Sequence, residues 1–421
     1  MKKIHLLILL AAAVLCRADT IELANGTKLE GRVLENNTAA RTLLIEFNIN
    51  GTLTKRVVPY ATVKAVIPAV APAVPGAPTV PGAPGAPAAP AGPTPATKTP
   101  ADVRAIIAKI GPTDPDWLAA TPLNYPKTLD LTWPEKAPPP WNNQKNVGQF
   151  LWDVINTNPT RWREGLKLMD HLKSKGDSNF KQRVIKEMAN MHFRFFQDYA
   201  RAAYWWQQAG LTMEDPSGTH LAECYWRLGS KQMALDFLKT AQSLDEDAIK
   251  LFGDMGETDR AVELAKQFDF HEAWLLGGDA CRLGGRIAEA QSFYEKVVNT
   301  PATGPRADRI KRTQARAQAS LDSLKIFELA DVSKVADGTY KDSSLGYEAQ
   351  VEVTVTVKNK KIESVKVTQH HEKQYYSSIT DVPAQIIAKQ GVKGVDATSR
   401  ATITGEAIIN ATAKALVQGA K

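Results

Sequence analysis

The spacing of apolar residues changes along the chain, and each spacing predicts a different kind of structure. Apolar and polar residues alternate in short runs over residues 20–67, where Asn25-Gly26 and Asn50-Gly51 separate segments rich in Val, Ile, Leu and Thr. An Asn-Gly pair between such segments is a strong signal for a β-hairpin. The pattern therefore predicts a small β-barrel over residues 19–67.

Helical spacing replaces this alternation between residues 147 and 320, after one more predicted helix at residues 101–110. A motif recurs there in which a turn residue stands five positions before an Ala. The turn residues are Asp198, Gly229, Gly256 and Gly285, whose spacings are 31, 27 and 29 residues. A Gly or polar residue suits a hairpin turn, and Ala suits a point where two helices approach closely. We therefore expect a domain of helical hairpins over residues 101–325.

These hairpins resemble tetratricopeptide-like repeats with somewhat short units, and the predicted barrel resembles SH3-like or Sm-like barrels. A stack of such hairpins is a curved solenoid, whose concave face can hold a peptide or a partner domain. The barrel is expected to pack or to bind a component of the cell envelope. Trp117, Trp133 and Trp141 stand among prolines, and we expect them to fill surface grooves of the helical domain.

The alternating period returns near Asp337 and predicts an α+β unit over residues 326–421. Four valines at every second position of residues 351–357 mark one face of a strand, and Asn359 marks a hairpin turn to a second strand. A helix is expected at residues 382–389, with Pro383 in its first turn. Apolar residues at helical spacing after Thr404 predict a last helix.

The turn before this last helix contains the most promising chemistry of the chain. Residues 396–404 combine several hydroxyls with one carboxylate, Asp396, and one guanidinium, Arg400. A helix start carries free backbone N–H groups and the positive end of the helix dipole, so it attracts a phosphate. Arg400 would add a charge-assisted hydrogen bond. The pattern predicts a phosphate site at this turn.

The same turn resembles the Asp-x-x-(Ser/Thr)-Gly-Ala-Thr signature of the FMN-binding domain family. This family is known from the C subunit of the sodium-translocating NADH:quinone reductase and the G subunit of Rnf-type complexes. The matching residues are Asp396, Ser399, Ala401 and Thr402, while Arg400 stands where the signature usually has Gly. The resemblance extends over about residues 337–415, including Gly346-Tyr347 and a His-x-Glu-like segment at His370-His371-Glu372.

The resemblance implies that a flavin transferase attaches FMN to the Thr402 hydroxyl through a phosphoester. Ser399, Thr404 and backbone amides would then bind the phosphate together with Arg400, and Asp396 would fix the turn or serve the transferase. The flavin ring would lie towards the sheet, near Tyr347, His370 and Glu372.

The implied function is that of an electron-transfer flavoprotein rather than a stand-alone enzyme, with a redox partner docked on the helical repeats. Arg400 in place of Gly supports the alternative, a scaffold whose flavin domain binds FMN noncovalently or not at all. His370 and His371 could instead bind a metal, but adjacent residues of a strand point to opposite faces, so no metal site is expected. No Gly-x-Gly-x-x-Gly fingerprint for a nicotinamide cofactor occurs.

The first residues of the chain predict export. Met1-Lys2-Lys3 precedes an apolar stretch at residues 4–15, and Ala18 follows as a small residue, so residues 1–18 read as a signal peptide cleaved before Asp19. The alternative is a lipoprotein anchored at Cys16. Residues 68–100 are rich in Pro and Ala and predict an extended linker. We expect a periplasmic or cell-envelope protein.

The net charge and the cysteines say less about function than the motifs do. The net charge of +7 comes without a basic run interleaved with aromatics, so no nucleic acid is expected, and attraction to envelope or membrane components is a weak possibility. After signal cleavage Cys224 and Cys281 would remain. They could form a disulfide or be buried thiols, and their apolar helix faces favour the second interpretation.

Overall fold

The computed structural model describes residues 98–372 and 377–420 in full, and the backbone of five strands between residues 19 and 67. The predicted signal peptide, both Asn-Gly turns and linker residues 68–97 lie outside the described residues. The chain divides into two compact units, one formed by residues 1–75 with 301–311 and the other by residues 76–300 with 312–421.

The N-terminal strands form one antiparallel sheet. The strands are β1 (Asp19–Leu23), β2 (Lys28–Asn37), β3 (Thr42–Ile49), β4 (Thr52–Pro59) and β5 (Val63–Ile67). Their order in the sheet is β4-β3-β2-β1-β5, so β1 pairs with both β2 and β5. Closure of this sheet into an SH3-like barrel stays a prediction.

The next part of the chain is helical. Its helices are α1 (Pro100–Ile110), α2 (Val147–Phe150), α3 (Trp162–Leu172), α4 (Ser178–Phe196), α5 (Tyr199–Gln208), α6 (Gly218–Arg227), α7 (Lys231–Leu238), α8 (Asp247–Asp254), α9 (Thr258–Phe268), α10 (His271–Leu283), α11 (Ile287–Val298) and α12 (Ala307–Leu324). Helix α2 continues as a π-helical turn, Leu151–Ile155. Within the described residues, no helix is long and apolar enough to cross a membrane.

The recurring motif coincides with turns between successive helices. Gly229, Gly256 and Gly285 lie at the α6–α7, α8–α9 and α10–α11 turns with φ of +110°, +73° and +75°, a left-handed conformation that suits Gly. The Ala residues five positions later are completely buried, namely Ala203, Ala234, Ala261 and Ala290. At the first motif the left-handed residue is Gln197, and Asp198 caps α5. The tetratricopeptide resemblance itself stays a prediction.

The C-terminal part is an α+β unit, as its residue pattern predicts. Strands β6 (Gly338–Leu345), β7 (Gln350–Lys358) and β8 (Lys361–Gln369) form an antiparallel sheet in that order, and α13 (Ser378–Lys389) and α14 (Thr402–Gln418) pack on it. The four alternating valines of β7 are all at most 2% exposed. Asn359 and Lys360 have φ of +51° and +57° and form the predicted hairpin turn.

The predicted start of α13 is wrong. The helix begins at Ser378, four residues before the predicted start, so Pro383 lies inside the helix and not in its first turn. A proline lacks the N–H that would bond to the carbonyl four residues earlier, which for Pro383 is the carbonyl of Ile379. The helix continues to Lys389 with this single intrahelical bond missing.

The helical region and the C-terminal α+β part share one hydrophobic core. It extends without interruption from α1 through the hairpin helices to β7 and α14, where Val355 and Ile408 are completely buried. Cys224 and Cys281 lie in this core as free thiols, which confirms the buried-thiol interpretation.

Trp141 differs from the prediction that it fills a surface groove. Its side chain is 55% exposed, and its indole N–H donates to Asp153 (2.6 Å).

Candidate functional site

The predicted phosphate site is a helix start without a side-chain cap. Helix α14 begins at Thr402, within residues 396–404 that were predicted as the turn opening this helix. Its N-cap residue is Ala401, which has no side-chain acceptor to offer. The Gly405 N–H donates to the Ala401 carbonyl (2.9 Å) and is the first amide in the helical ladder. The amides of the preceding turn, up to Thr404, have no intrahelical acceptor, because helix geometry provides none. This end of the helix is suited to an anion.

The conformation of Arg400 shapes the turn before this helix. Its φ of +69° lies in the left-handed region, where the family signature has Gly and where a side chain costs on the order of 1 kcal/mol. Its guanidinium Nη1 lies 3.5 Å from the Asp247 carboxylate at the start of α8, and both side chains are more than a third exposed. The cation is therefore held near the helix start by a weak, solvent-accessible ion pair.

A cavity of about 690 Å³ opens at this helix start. This volume lies within the range of roughly 300–1,000 Å³ that is typical of ligand clefts. One wall belongs to the C-terminal part of the chain and includes Tyr347, Glu372, Arg400, Ala401, Thr402 and Thr404. The other wall belongs to the helices and includes Trp152, Asp247, Leu275, Leu276 and Arg316.

Thr402 is the hydroxyl of the turn that is open to this cavity. In the part of the chain that the structure describes, the Thr402 side chain makes no hydrogen bond, and it is only partly buried. Thr398 and Thr404 differ, because Thr398 donates to Asp381 (2.8 Å) and Thr404 donates to Glu372. Ser399 is 9% exposed and is not among the cavity residues. The geometry thus favours Thr402 over its neighbours as the partner of a bound phosphate.

Glu372 organises the cavity wall. Its carboxylate accepts hydrogen bonds from the backbone N–H groups of Tyr347 (3.0 Å) and Glu348 (2.9 Å) and from the Thr404 hydroxyl. These bonds tie the loop between β6 and β7 to the first turn of α14. Glu372 is 6% exposed, so it acts mainly by holding Tyr347 and α14 in place.

Tyr347 lies at the rim of the cavity. It is 58% exposed, its ring lies 5.1 Å from the Arg316 guanidinium, and its carbonyl accepts a hydrogen bond from Arg316 (3.4 Å). His370 is half-buried, and burial lowers the pKa of its imidazole. His370 is not among the cavity residues, although its imidazole is hydrogen-bonded to the backbone of Glu372, which is one of them.

Asp396 lies behind the turn, in a buried ion cluster with α6 and α8. The Arg227 guanidinium donates to its carboxylate (2.6 Å) and is paired with Glu223 and Asp254, while Lys250 is paired with Asp254. Burial alone would raise the pKa of Asp396, but the Arg227 and Lys250 cations hold it below its usual value. Asp396 does not line the cavity, so its geometry fits the role of fixing the turn.

A second buried ion pair joins α10 to α14. The Arg282 guanidinium donates to Glu406 (2.6 Å) and to the Val395 carbonyl (3.3 Å), and both side chains are largely buried. Arg227 and Arg282 thus hold the two ends of the turn from the helical side. The residue pattern did not predict these anchors, since nothing in the helices marks which of their charged residues faces the C-terminal unit.

Comparison with known proteins identifies this C-terminal part. Residues 346–417 match the family model of the FMN-binding domain. The cofactor that this match indicates is FMN. We therefore refer to β6–β8, α13 and α14 as the FMN-binding domain, and the family resemblance of its turn is confirmed.

One curated relative and no solved structure give a significant match. The relative is an uncharacterized protein of Treponema pallidum (strain Nichols), 36% identical over 141 residues. The matching stretch covers 33% of this chain and 37% of the relative, so the chain spans little more than a third of the length of the protein it matches. No solved structure matches the chain significantly.

The described residues fit an FMN. The uncapped amides, the Thr402 hydroxyl and Arg400 would hold its phosphate at the start of α14. The cavity has the size of a ligand cleft, and Leu275, Leu276 and Tyr347 offer apolar and aromatic surface to its ring.

Proposed function

We propose that this chain is an exported flavoprotein that carries FMN as a phosphoester on Thr402 and relays electrons in the cell envelope. The observation that carries this proposal is the unpaired hydroxyl of Thr402 at an uncapped helix start beside a cavity of cofactor size. The family match supplies the identity of the cofactor. Export, the extended linker and a redox partner on the helical repeats belong to the same proposal.

The chain's own residues have a positioning role in this function. When bound, FMN supplies the electron-transfer chemistry, and the protein holds and shields it. The amides of α14 and Arg400 fix the phosphate, the Glu372 carboxylate fixes the Tyr347 loop, and the Arg227–Asp396 ion pair fixes the turn. Attachment would join the Thr402 Oγ to the phosphorus of the flavin phosphate while the pyrophosphate bond of a flavin adenine dinucleotide breaks. AMP would leave and the hydroxyl proton would be released, so a flavin transferase that uses this dinucleotide is the required partner.

Co-expression with a flavin transferase tests the proposal. Wild-type protein should be yellow, and its flavin fluorescence should persist on a denaturing gel. The Thr402→Ala variant should show no fluorescent band. A colourless wild-type protein that also fails to bind added FMN would overturn the proposal.

The second candidate is a scaffold whose FMN-binding domain takes up FMN noncovalently or not at all. Arg400 favours this candidate, because it replaces the usual Gly in a left-handed turn and already has Asp247 as a partner. Protein produced without the transferase separates these possibilities, since an FMN titration with a saturable change in flavin fluorescence shows noncovalent binding. Colour that is lost on denaturation would support this second candidate.

A further inference from the structure

The helical side of the cavity contains features that the family match does not include. Trp152, Asp247, Leu275 and Leu276 all lie outside residues 346–417, yet they face the same cavity as Thr402 and Tyr347. A flavin held by the FMN-binding domain alone would leave its far side open to solvent. In this chain, residues between positions 152 and 276 provide a second wall.

Trp152 is the most prominent side chain of this wall. It belongs to the π-helical turn Leu151–Ile155. Leu151 and Ile155 are buried in a second hydrophobic cluster, which is separate from the shared core and is formed mainly by residues of α2, α3 and α4. These two anchors fix the turn, while Trp152 remains 51% exposed at the cavity. Aromatic side chains commonly line ligand pockets, and π-helical turns are frequent at functional sites.

Trp152 and Tyr347 make both walls of the cavity aromatic. Tyr347 is 58% exposed on the side of the FMN-binding domain, where Arg316 and the Glu372 carboxylate hold its loop. A three-ring isoalloxazine has two flat aromatic faces and can contact an aromatic side chain on each. Leu275 and Leu276 of α10 add apolar surface between the charged residues of the helical wall.

The helical region also contributes to the end of the cavity at the start of α14, where the phosphate would bind. Asp247 lies 3.5 Å from Arg400 and 3.5 Å from the imidazole Nε2 of the buried His220. Since His220 contacts Asp247 from behind, the carboxylate is placed to hold the Arg400 side chain near the start of α14. Both ends of the cavity therefore depend on residues outside the FMN-binding domain.

We infer that the helical region is the second half of the flavin site, in which Trp152 contacts the flavin ring and Asp247 positions Arg400. This inference rests on the proposed function, because it requires a flavin in the cavity. It assigns the helices a role in cofactor binding besides any partner docking. A redox partner would then reach the ring only through the part of the cavity that Trp152 and Tyr347 leave open.

The fluorescence of the bound flavin tests this inference in the full-length holoprotein. A Trp in contact with an isoalloxazine quenches its emission, so the Trp152→Leu variant should emit more per bound flavin than the wild type. Trp205→Leu is the control, because Trp205 is also partly exposed but belongs to α5 and does not line this cavity. Its emission per bound flavin should equal that of the wild type. In protein made without the transferase, Trp152→Leu should also weaken noncovalent FMN binding about two- to tenfold.

The Trp152→Phe variant and the flavin uptake of the wild type separate a failure of this inference from a failure of the proposed function. Trp152→Phe keeps an aromatic ring in the wall, so it should retain FMN affinity close to wild type even if the Leu variant folds poorly, while its flavin emission rises. If the wild type binds flavin and both Trp152 variants show wild-type emission, the inference is wrong and the proposed function stands. If the wild type takes up no flavin, covalently or otherwise, the proposed function fails and the inference falls with it.

Discussion

The Arg227 guanidinium lies 2.6 Å from the Asp396 carboxylate, although 169 positions separate the two residues in the sequence. Arg227 ends helix α6, and Asp396 begins the turn that carries Thr402. Both side chains are at least nine-tenths buried, so water cannot replace either partner. The ion pair makes the position of the flavin turn dependent on the helical region.

Replacing Arg227 by Met should destabilise the protein strongly. The variant leaves the buried Asp396 carboxylate without its nearest cation, and removing one partner of a buried ion pair costs about 3–5 kcal/mol. Urea unfolding measures this loss. Arg286→Met is the matched control, because Arg286 pairs with the exposed Asp259 and surface pairs contribute about 0–1 kcal/mol. Equal losses in the two variants would contradict the assigned role of Arg227.

Asp254 should make the stability of the protein depend on pH near neutrality. Burial, opposed by Lys250 and Arg227, raises the pKa of Asp254 to about 7, while its unfolded value stays at the ordinary one of about 3.9. The protonated carboxyl therefore favours the folded state. This contribution is complete below the unfolded pKa and is lost as the pH rises through about 7. The main physical cause of the raised pKa is burial of the carboxyl, and the neighbouring carboxylates of Asp396 and Glu223 add to it.

The Asp254→Asn variant tests this pH dependence. Asn imitates the protonated carboxyl at every pH, so the free energy of unfolding of the variant should lack the decline that the wild type shows across neutral pH. The difference between the two urea-unfolding curves isolates Asp254 from the other titrating groups. A difference that does not change between about pH 5 and 8.5 would show that Asp254 does not hold a proton in the folded state.

Replacing Glu372 by Gln should loosen the Tyr347 loop. The carboxylate accepts from two backbone N–H groups and one hydroxyl, and each hydrogen bond to a charged group contributes about 1.5–3 kcal/mol. Gln keeps one acceptor oxygen but directs an NH₂ group at a donor, so we expect a loss on the order of 2–3 kcal/mol. Amide hydrogen exchange at Tyr347 and Glu348 should accelerate. Glu352→Gln, on the exposed face of β7, is the control and should leave these amides unchanged.

Arg400 should show opposite effects on stability and on cofactor binding. Arg400→Gly relieves the left-handed strain, so without flavin it should be more stable than Arg400→Ala by about 1 kcal/mol. Both variants lack the guanidinium and should bind FMN more weakly, on the order of tenfold. Thermal unfolding and FMN titration measure the two effects. FMN affinity that is unchanged in both variants would exclude Arg400 from the phosphate site.

The residue pattern predicted those parts of the structure that local rules determine. The alternating valines of β7 marked a strand because one face of it is buried, and the helical spacing of apolar residues marked α14 because this helix packs into the core. The start of α13 was wrong because Pro383 is more common in a first turn than in a helix interior.

The second half of the site could not be predicted in this way. Asp247 reaches the cavity because the hairpin helices and the FMN-binding domain share one core, and Trp152 reaches it because its turn is anchored in the second hydrophobic cluster, which also includes Ala401. Local spacing does not encode which side chains of the helices face the C-terminal unit. Local spacing also does not show that Ser399, which matches the family signature, lies outside the cavity.

The most direct test of the central claim is the intact mass of Thr402 variants after co-expression with a flavin transferase. Thr402→Ser keeps the hydroxyl and Thr402→Val keeps the shape without it. We predict that the wild type and Thr402→Ser gain the mass of one esterified FMN, that the peptide containing residue 402 carries it, and that Thr402→Val gains none. An FMN adduct on Thr402→Val, or on a peptide that lacks residue 402, would contradict the account.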